Sequence, residues 1–246
     1  EYLATGPFAQ MDRDTAGDIL REVDRLSVEE FALTFADLDH EGPKLVDGKV
    51  ILPPALKQTL DPYFDAGWDR IAMPDDMGGF GAPPSLRWAA QEFLSGANAS
   101  AFLYVGGPLM AYVIAKVGTP QQKETWARWC MDRRWGATMV LTEADAGSDV
   151  GAGTTKAIPV EGEVYHIEGV KRFITSGDGD YFENVLHLTL ARPAGAGPGT
   201  KGLSCFIIPK SLPKEDGSPG EWNGVSVTKI EDKMGIKGSV TCELTF

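Results

Sequence analysis

Met139-Val140-Leu141-Thr142-Glu143-Ala144-Asp145-Ala146-Gly147-Ser148-Asp149 is the stretch on which the reading of this 246-residue chain turns. It starts as a β-forming run and ends as a polar loop with two hydroxyls, three carboxylates and one glycine. Successive backbone N–H groups around Gly147 and Ser148, with the Ser148 hydroxyl as a further donor, suit an anion of the pyrophosphate kind. An ordinary turn closed by Asx and serine side chains accounts for the same residues equally well.

Upstream of this stretch the pattern is helical. Asp14 or Thr15 is positioned to cap a segment with Ile19, Leu20, Val23 and Leu26 on one face, and Ser27 with Glu30 to open a second carrying Phe31, Ala32 and Phe35 inward. Leu56, Leu60, Tyr63 and Phe64 fall at helical spacing ahead of Gly67, a C-terminal stop. Ser85 is positioned to cap a helix with Leu86, Trp88, Ala89, Phe93 and Leu94. Thr119-Pro120-Gln121-Gln122 carries the clearest start, a capping box with proline as the first helical residue, and its helix is expected to reach about Arg133.

Downstream, short β-rich runs replace the helices, at residues 137–142, 164–167, 170–175, 185–190, 203–208, 225–230 and 239–246. Gly- or Pro-rich turns separate them, and 195–202 and 213–220 read as the most loop-like stretches. The expected architecture is α+β multidomain, an all-α helical domain over 1–135 followed by a β-barrel or sandwich domain over 136–246. One of these strands ends in Lys171-Arg172-Phe173-Ile174-Thr175-Ser176-Gly177, where an aromatic, an apolar residue and a hydroxyl offer a flat wall for a planar ring. A core-facing strand end explains it as readily.

The 35 acidic against 23 basic residues give a net charge of −12 and argue against a nucleic-acid binder, which needs a basic face. Residues 1–50 alone hold 12 acids and 5 bases, so much of the excess is local. Cys130, Cys205 and Cys242 are odd in number and widely spaced, which fits neither a disulfide scaffold nor a zinc site and points to a cytoplasmic setting. No signal peptide is read at Glu1, and the missing initiator Met is read as a trimmed start. The apolar run 101–115 is interrupted by Gly106, Gly107 and Pro108, reads as a bent helix or helix pair, and is too short for a membrane span. Gly151-Ala152-Gly153 and Gly177-Asp178-Gly179 lack the third glycine and following helix of a dinucleotide fingerprint. Ser148 lacks the glycine two residues on that a nucleophile elbow requires. His40, His166 and His187 are distant from one another; His166 and His187 are expected at the surface or an interface, and no metal site is expected.

Taken together, these motifs resemble the acyl-CoA dehydrogenase family. Leu141-Thr142-Glu143-Ala144-Asp145-Ala146-Gly147-Ser148-Asp149 is similar to its flavin signature, with Ala144 where proline is usual, and Gly169-Val170-Lys171-Arg172-Phe173-Ile174-Thr175 to its second signature. Met73–Gly81, Gly118–Lys123 and Lys233–Ser239 with Glu243–Phe246 match further motifs in order. The resemblance implies FAD as cofactor, with Met139, Leu141 and Thr142 at the flavin's pyrimidine edge and Gly147 and Ser148 at the pyrophosphate. It further implies Phe173 packed on the isoalloxazine, with Ile174 beside it and the Thr175 hydroxyl near N5. Ser148 is also implied as a substrate contact. The implied reaction is α,β-dehydrogenation of an acyl-CoA thioester, with an electron-transfer flavoprotein as acceptor and a homodimer or homotetramer as the assembly. In the family the general base is a glutamate on a C-terminal helical bundle, expected beyond Phe246, so no catalytic residue is assigned and the 246 residues alone are expected to be inactive. Glu143 is expected to bond the loop's own backbone. An acyl-CoA oxidase and a non-catalytic partner subunit are the alternatives within the fold. The acidic N-terminal stretch, His187–Arg192 and Gly199–Gly202 resemble the larger members that include 3-methylmercaptopropionyl-CoA dehydrogenases.

Overall fold

A computed structural model describes residues 3–246. The chain divides into two units, with the main break between Arg134 and Trp135. Two short segments depart from a single cut near 135: Pro43–Ile51 belongs to the β unit and Lys233–Ser239 to the helical one.

In the helical unit, α1 (Arg13–Leu26) is capped by Asp12, whose carboxylate accepts from the Thr15 amide at 2.7 Å. The cap therefore lies two residues ahead of Asp14, at the last residue with extended backbone. Ser27 opens no new helix. Its backbone is already helical and its hydroxyl donates to Val23 O at 2.8 Å, so α1 runs on through a wide π-turn, Ser27–Phe31. That wide turn shifts the buried face: Phe31 is fully buried, while Ala32 and Phe35 point outward. After α2 (Phe35–His40), α3 (Pro54–Asp65) buries Leu56, Leu60, Tyr63 and Phe64, and Gly67 takes φ +75° at its end.

Helix α4 (Pro84–Ala97) starts on Pro83 with no side-chain cap, so Ser85 does not serve, and it buries Leu86, Ala90 and Leu94 while Trp88 and Phe93 are exposed. The apolar run is two helices, α5 (Ala99–Phe102) and α6 (Gly107–Val117). Ala99–Val117 has the length and composition of a bilayer crossing, but the break leaves α6 about 16 Å long, short of a roughly 30 Å hydrocarbon core. The Thr119 capping box forms in full: Gln122 N donates to Thr119 Oγ1 at 3.2 Å, and Thr119 N to Gln122 Oε1 at 3.0 Å. From it α7 (Pro120–Gln122), a second π-turn (Lys123–Ala127) and α8 (Arg128–Asp132) follow without interruption.

The β unit opens with a hairpin of β1 (Lys44–Val46) and β2 (Lys49–Ile51), turned by Asp47 and Gly48 at φ +50° and +74°. The main sheet is built on β7 (Val185–Pro193). β3 (Gly136–Val140) and then β4 (Lys156–Glu161) run parallel to it, β8 (Ser204–Pro209) runs antiparallel, and β5 (Val164–Glu168) extends β4. A three-stranded sheet holds β6 (Val170–Thr175), β12 (Thr241–Thr245) and β11 (Ser226–Ile230) in the order β11-β12-β6. The stretch 213–220 is the turn of a small hairpin, β9 (Ser211–Pro213) with β10 (Pro219–Trp222). Val140, Leu186, Leu188, Ile174, Cys242 and Leu244 are among the buried residues of this unit.

Candidate functional site

The end of β3 and the end of β6 lie side by side, joined across the two sheets by two hydrogen bonds. Thr138 Oγ1 donates to Thr175 O at 2.7 Å, and Arg172 N donates to Thr142 O at 2.9 Å. In β3 strand alternation sorts the side chains, whereas in β6 a break in the register with β12 does so. Thr138, Val140 and Ile174 turn inward, and Ile174 is only 2% exposed as a whole residue. Met139 and Phe173 face solvent at 40% and 55% exposure, with Leu141, Thr142 and Thr175 half-buried. The structure thus brings the strand ends that carry Met139, Leu141, Thr142, Phe173 and Thr175 together, a patch of backbone with two exposed apolar residues and two half-buried hydroxyls.

Beyond Leu141 the loop is held from underneath. Glu143 is buried, and its Oε2 accepts from Thr154 N at 2.7 Å and Thr154 Oγ1 at 2.8 Å. Its Oε1 accepts from Thr155 N at 3.0 Å and Lys171 Nζ at 2.9 Å. Lys171, also buried, donates a second time to Leu141 O at 2.9 Å. Burial pushes the Glu143 carboxyl upward, but the bonds from Thr154, Thr155 and Lys171 outweigh it and hold the group at about 2. Glu143 braces backbone as expected, but the amides are those of Thr154 and Thr155 beyond the loop, and Lys171 is the partner that sequence reasoning missed. Main-chain bonds between Glu143 and Ala146, at 3.1 and 3.2 Å, close the turn.

Gly147 and Ser148 leave this brace behind. Both are exposed, and among the described residues neither makes a hydrogen bond. No residue between 141 and 153 adopts positive φ, so the segment is a plain turn without a left-handed residue. Next to it, residues that include Gly151, Thr154, Lys156, Arg192, Ala194 and Pro198 line a groove of about 540 Å³. Arg192 builds one wall: its guanidinium donates to Gly151 O at 2.8 Å, to Gly199 O at 3.2 Å and to Gly197 O. The glycine-rich stretch 195–202, loop-like in the sequence, is therefore pinned.

His187 corrects the expectation of a surface or interface residue. On β7 it is wholly buried, packed edge-on to Phe246 with ring centroids 6.2 Å apart. Burial, reinforced by the charge of Lys210, pushes its pKa down to about 3, so the imidazole is neutral. β7 is an inner strand, paired on both edges, and Val185–Thr189 are buried without alternation, so both of its faces are covered. His166, on β5, is exposed as expected.

Comparison with known proteins matches the same residues. The family description "Acyl-CoA dehydrogenase, N-terminal domain" covers residues 18–132, and "Acyl-CoA dehydrogenase, middle domain" covers 138–246. The chain belongs to the acyl-CoA dehydrogenase family. It is 49% identical over 249 residues to the broad-specificity linear acyl-CoA dehydrogenase FadE5 of Mycobacterium tuberculosis, covering 99% of this chain and 40% of that protein. It is 34% identical to 3-methylmercaptopropionyl-CoA dehydrogenase of Ruegeria pomeroyi, over 97% of this chain and 41% of that protein. Among solved structures, butyryl-CoA dehydrogenase from Megasphaera elsdenii superposes with a TM-score of 0.70 at 26% identity, over 94% of this chain and 55% of that one. The chain spans about two fifths of the length of the two curated relatives. Within this acyl-CoA dehydrogenase chain, the patch at β3 and β6 and the turn at Gly147–Ser148 lie in the middle domain.

Proposed function

We propose that the protein to which this chain belongs performs FAD-dependent α,β-dehydrogenation of acyl-CoA thioesters and that the β unit holds the cofactor. The juxtaposition of exposed Met139 and Phe173 with half-buried Thr142 and Thr175 carries this reading. An apolar wall beside hydroxyl and main-chain donors matches a flat ring with a polar rim. Met139, Leu141 and Thr142 offer one edge of the seat. Phe173 offers a face, with the Ile174 main chain next to it, and Thr175 offers a hydroxyl. Gly147 and Ser148, whose amides are not spent within the loop, suit the pyrophosphate. Ser148 also faces the thioester substrate in this reading, and the adjoining groove gives its coenzyme portion room.

FAD, when bound, supplies acceptance of two electrons from the acyl chain. The residues of this chain bind and orient. Donors fixed in advance by a braced loop stabilise developing negative charge without reorganising, which is the advantage Lys171 and Glu143 confer on Leu141 and Thr142. No carboxylate is assigned here as the base for the α-proton, so the 246 residues alone are proposed to lack turnover. The same reading takes an electron-transfer flavoprotein as acceptor, a homodimer or homotetramer as the assembly and the cytoplasm as the location.

The test is anaerobic titration of protein expressed from the complete reading frame with a linear acyl-CoA. The expected result is a yellow protein whose visible flavin absorption bleaches on addition of acyl-CoA, with Thr175→Ala retaining less flavin or bleaching more slowly. Protein that folds without flavin, or flavin that no acyl-CoA reduces, contradicts the proposal.

A further inference from the structure

Phe173 is held in an unusual way. Its φ is +59°, a left-handed backbone that a bulky side chain occupies only under constraint. The pairing of β6 with β12 explains the constraint. Ile174 stands opposite Cys242 and Lys171 opposite Leu244, so Arg172 and Phe173 together face the single residue Glu243. This is a β-bulge, a device that re-aims a side chain out of the strand's alternation.

The bulge is clamped from outside the signature. The Arg172 guanidinium meets Glu231 Oε1 at 2.6 Å and Glu243 Oε2 at 3.3 Å, and its carbon lies 5.0 Å from the Phe173 ring centroid. Each carboxylate is steadied in turn: Lys229 pairs with Glu231 at 3.3 Å, and Thr228 Oγ1 donates to Glu243 at 2.9 Å. The Arg172 amide is the group that bonds Thr142 O. One residue therefore ties the polar edge of the patch to its aromatic corner.

We propose that Arg172 is a positioning residue: clamped by Glu231 and Glu243, its guanidinium backs the Phe173 ring and fixes the angle that ring presents to the flavin. This rests on the FAD reading above. Arginine suits the task because its planar, always-charged head can stack on a ring while its edge faces the two carboxylates. Its influence on the cofactor runs through Phe173 and not through its own charge, which two carboxylates neutralise.

A double-mutant cycle separates these routes. Arg172→Ala, Phe173→Ala and the double variant are made in the full protein, with FAD affinity and the visible circular dichroism of the bound flavin as readouts. With Phe173 present, Arg172→Ala is expected to weaken FAD about three- to five-fold and to change the flavin dichroism. On the Phe173→Ala background the same change has no effect on either readout. Equal weakening on both backgrounds, or none on either, overturns the proposal. If Arg172→Ala does not fold, Arg172→Lys answers the same question, since it keeps the charge but loses the flat head. Its expected loss is about two-fold, again only with Phe173 present. Wild-type protein that binds no FAD defeats the cofactor reading before any variant is compared.

Discussion

Glu143 and Ser148 stand five residues apart in one loop and are treated in opposite ways. Glu143 is buried and bonded to Thr154, Thr155 and Lys171, whereas Ser148 is exposed with no bond among the described residues. One half of the signature is spent on the fold. In the FAD reading proposed above the other half is left free for the cofactor, and the two should then respond differently to mutation, acid and cofactor.

The strongest way to break that division is Lys171→Met. It leaves the Glu143 carboxylate buried without its counter-charge, and breaking a buried pair in this way costs about 3–5 kcal/mol. Chemical denaturation should show a loss of that size; a loss under 1 kcal/mol would mean that the pair does not brace the loop.

Acid probes the buried half in a graded way. His187 has a folded pKa of about 3, below the unfolded value near 6.5, so the unfolded chain takes up its proton first as the pH falls. Glu143, at about 2, lies below its unfolded value near 4.3, and its contribution is present above that pH and lost as the pH falls toward 2. Stability should therefore decline from about pH 6.5 downward by a few kcal/mol and steepen below about pH 4.5. His187→Leu should flatten the first part of the decline. A wild-type stability that is constant from pH 7 to 5 contradicts the buried neutral imidazole.

Phe173→Gly sharpens the contrast from the exposed side. Glycine relieves the left-handed backbone while little burial is lost, so stability should stay level or rise by up to about 1 kcal/mol, with FAD affinity down about ten-fold. A clear drop in melting temperature would show that the ring serves the fold.

The smallest expected effect on stability is that of Ser148→Ala, within about 0.5 kcal/mol of wild type. Cofactor retention or the KM for acyl-CoA should move instead, and a variant that changes neither has no part in binding.

Much of this was legible in the sequence where the governing interaction is local. Thr119 and Gln122 sit three residues apart and form the capping box that spacing implies, and Gly67 stops α3 as a left-handed residue should. Ser27 and Ser85 carry similar local signals, yet a continuing π-turn and the earlier Pro83 override them. The hairpin turned by Asp47-Gly48 carries a local signal too, an Asp-Gly pair between two β-forming runs. Strand β4 was hidden by Pro159 and its mostly exposed residues.

The site divides along the same line. The patch is made of the two signatures, and a bracing role for Glu143 follows from its place in a polar loop. Its partner Lys171 is 28 residues away and the Arg172 clamp reaches to Glu231, 59 residues away; no spacing rule covers such distances. The bulge at Phe173 depends on the register with β12, which pairing alone reveals. The burial of His187 comes from packing on both faces of β7, with Phe246 against its ring, which no local pattern signals.

Amide hydrogen exchange on the full protein, with and without FAD, tests the central claim most directly. The Thr154 and Thr155 amides, bonded to Glu143, should exchange slowly in both states. The Gly147 and Ser148 amides should exchange fast without FAD and become protected with it, together with residues 141–142 and 173–175. Exchange at these positions that FAD leaves unchanged would contradict the assignment of this loop and strand end as the cofactor site.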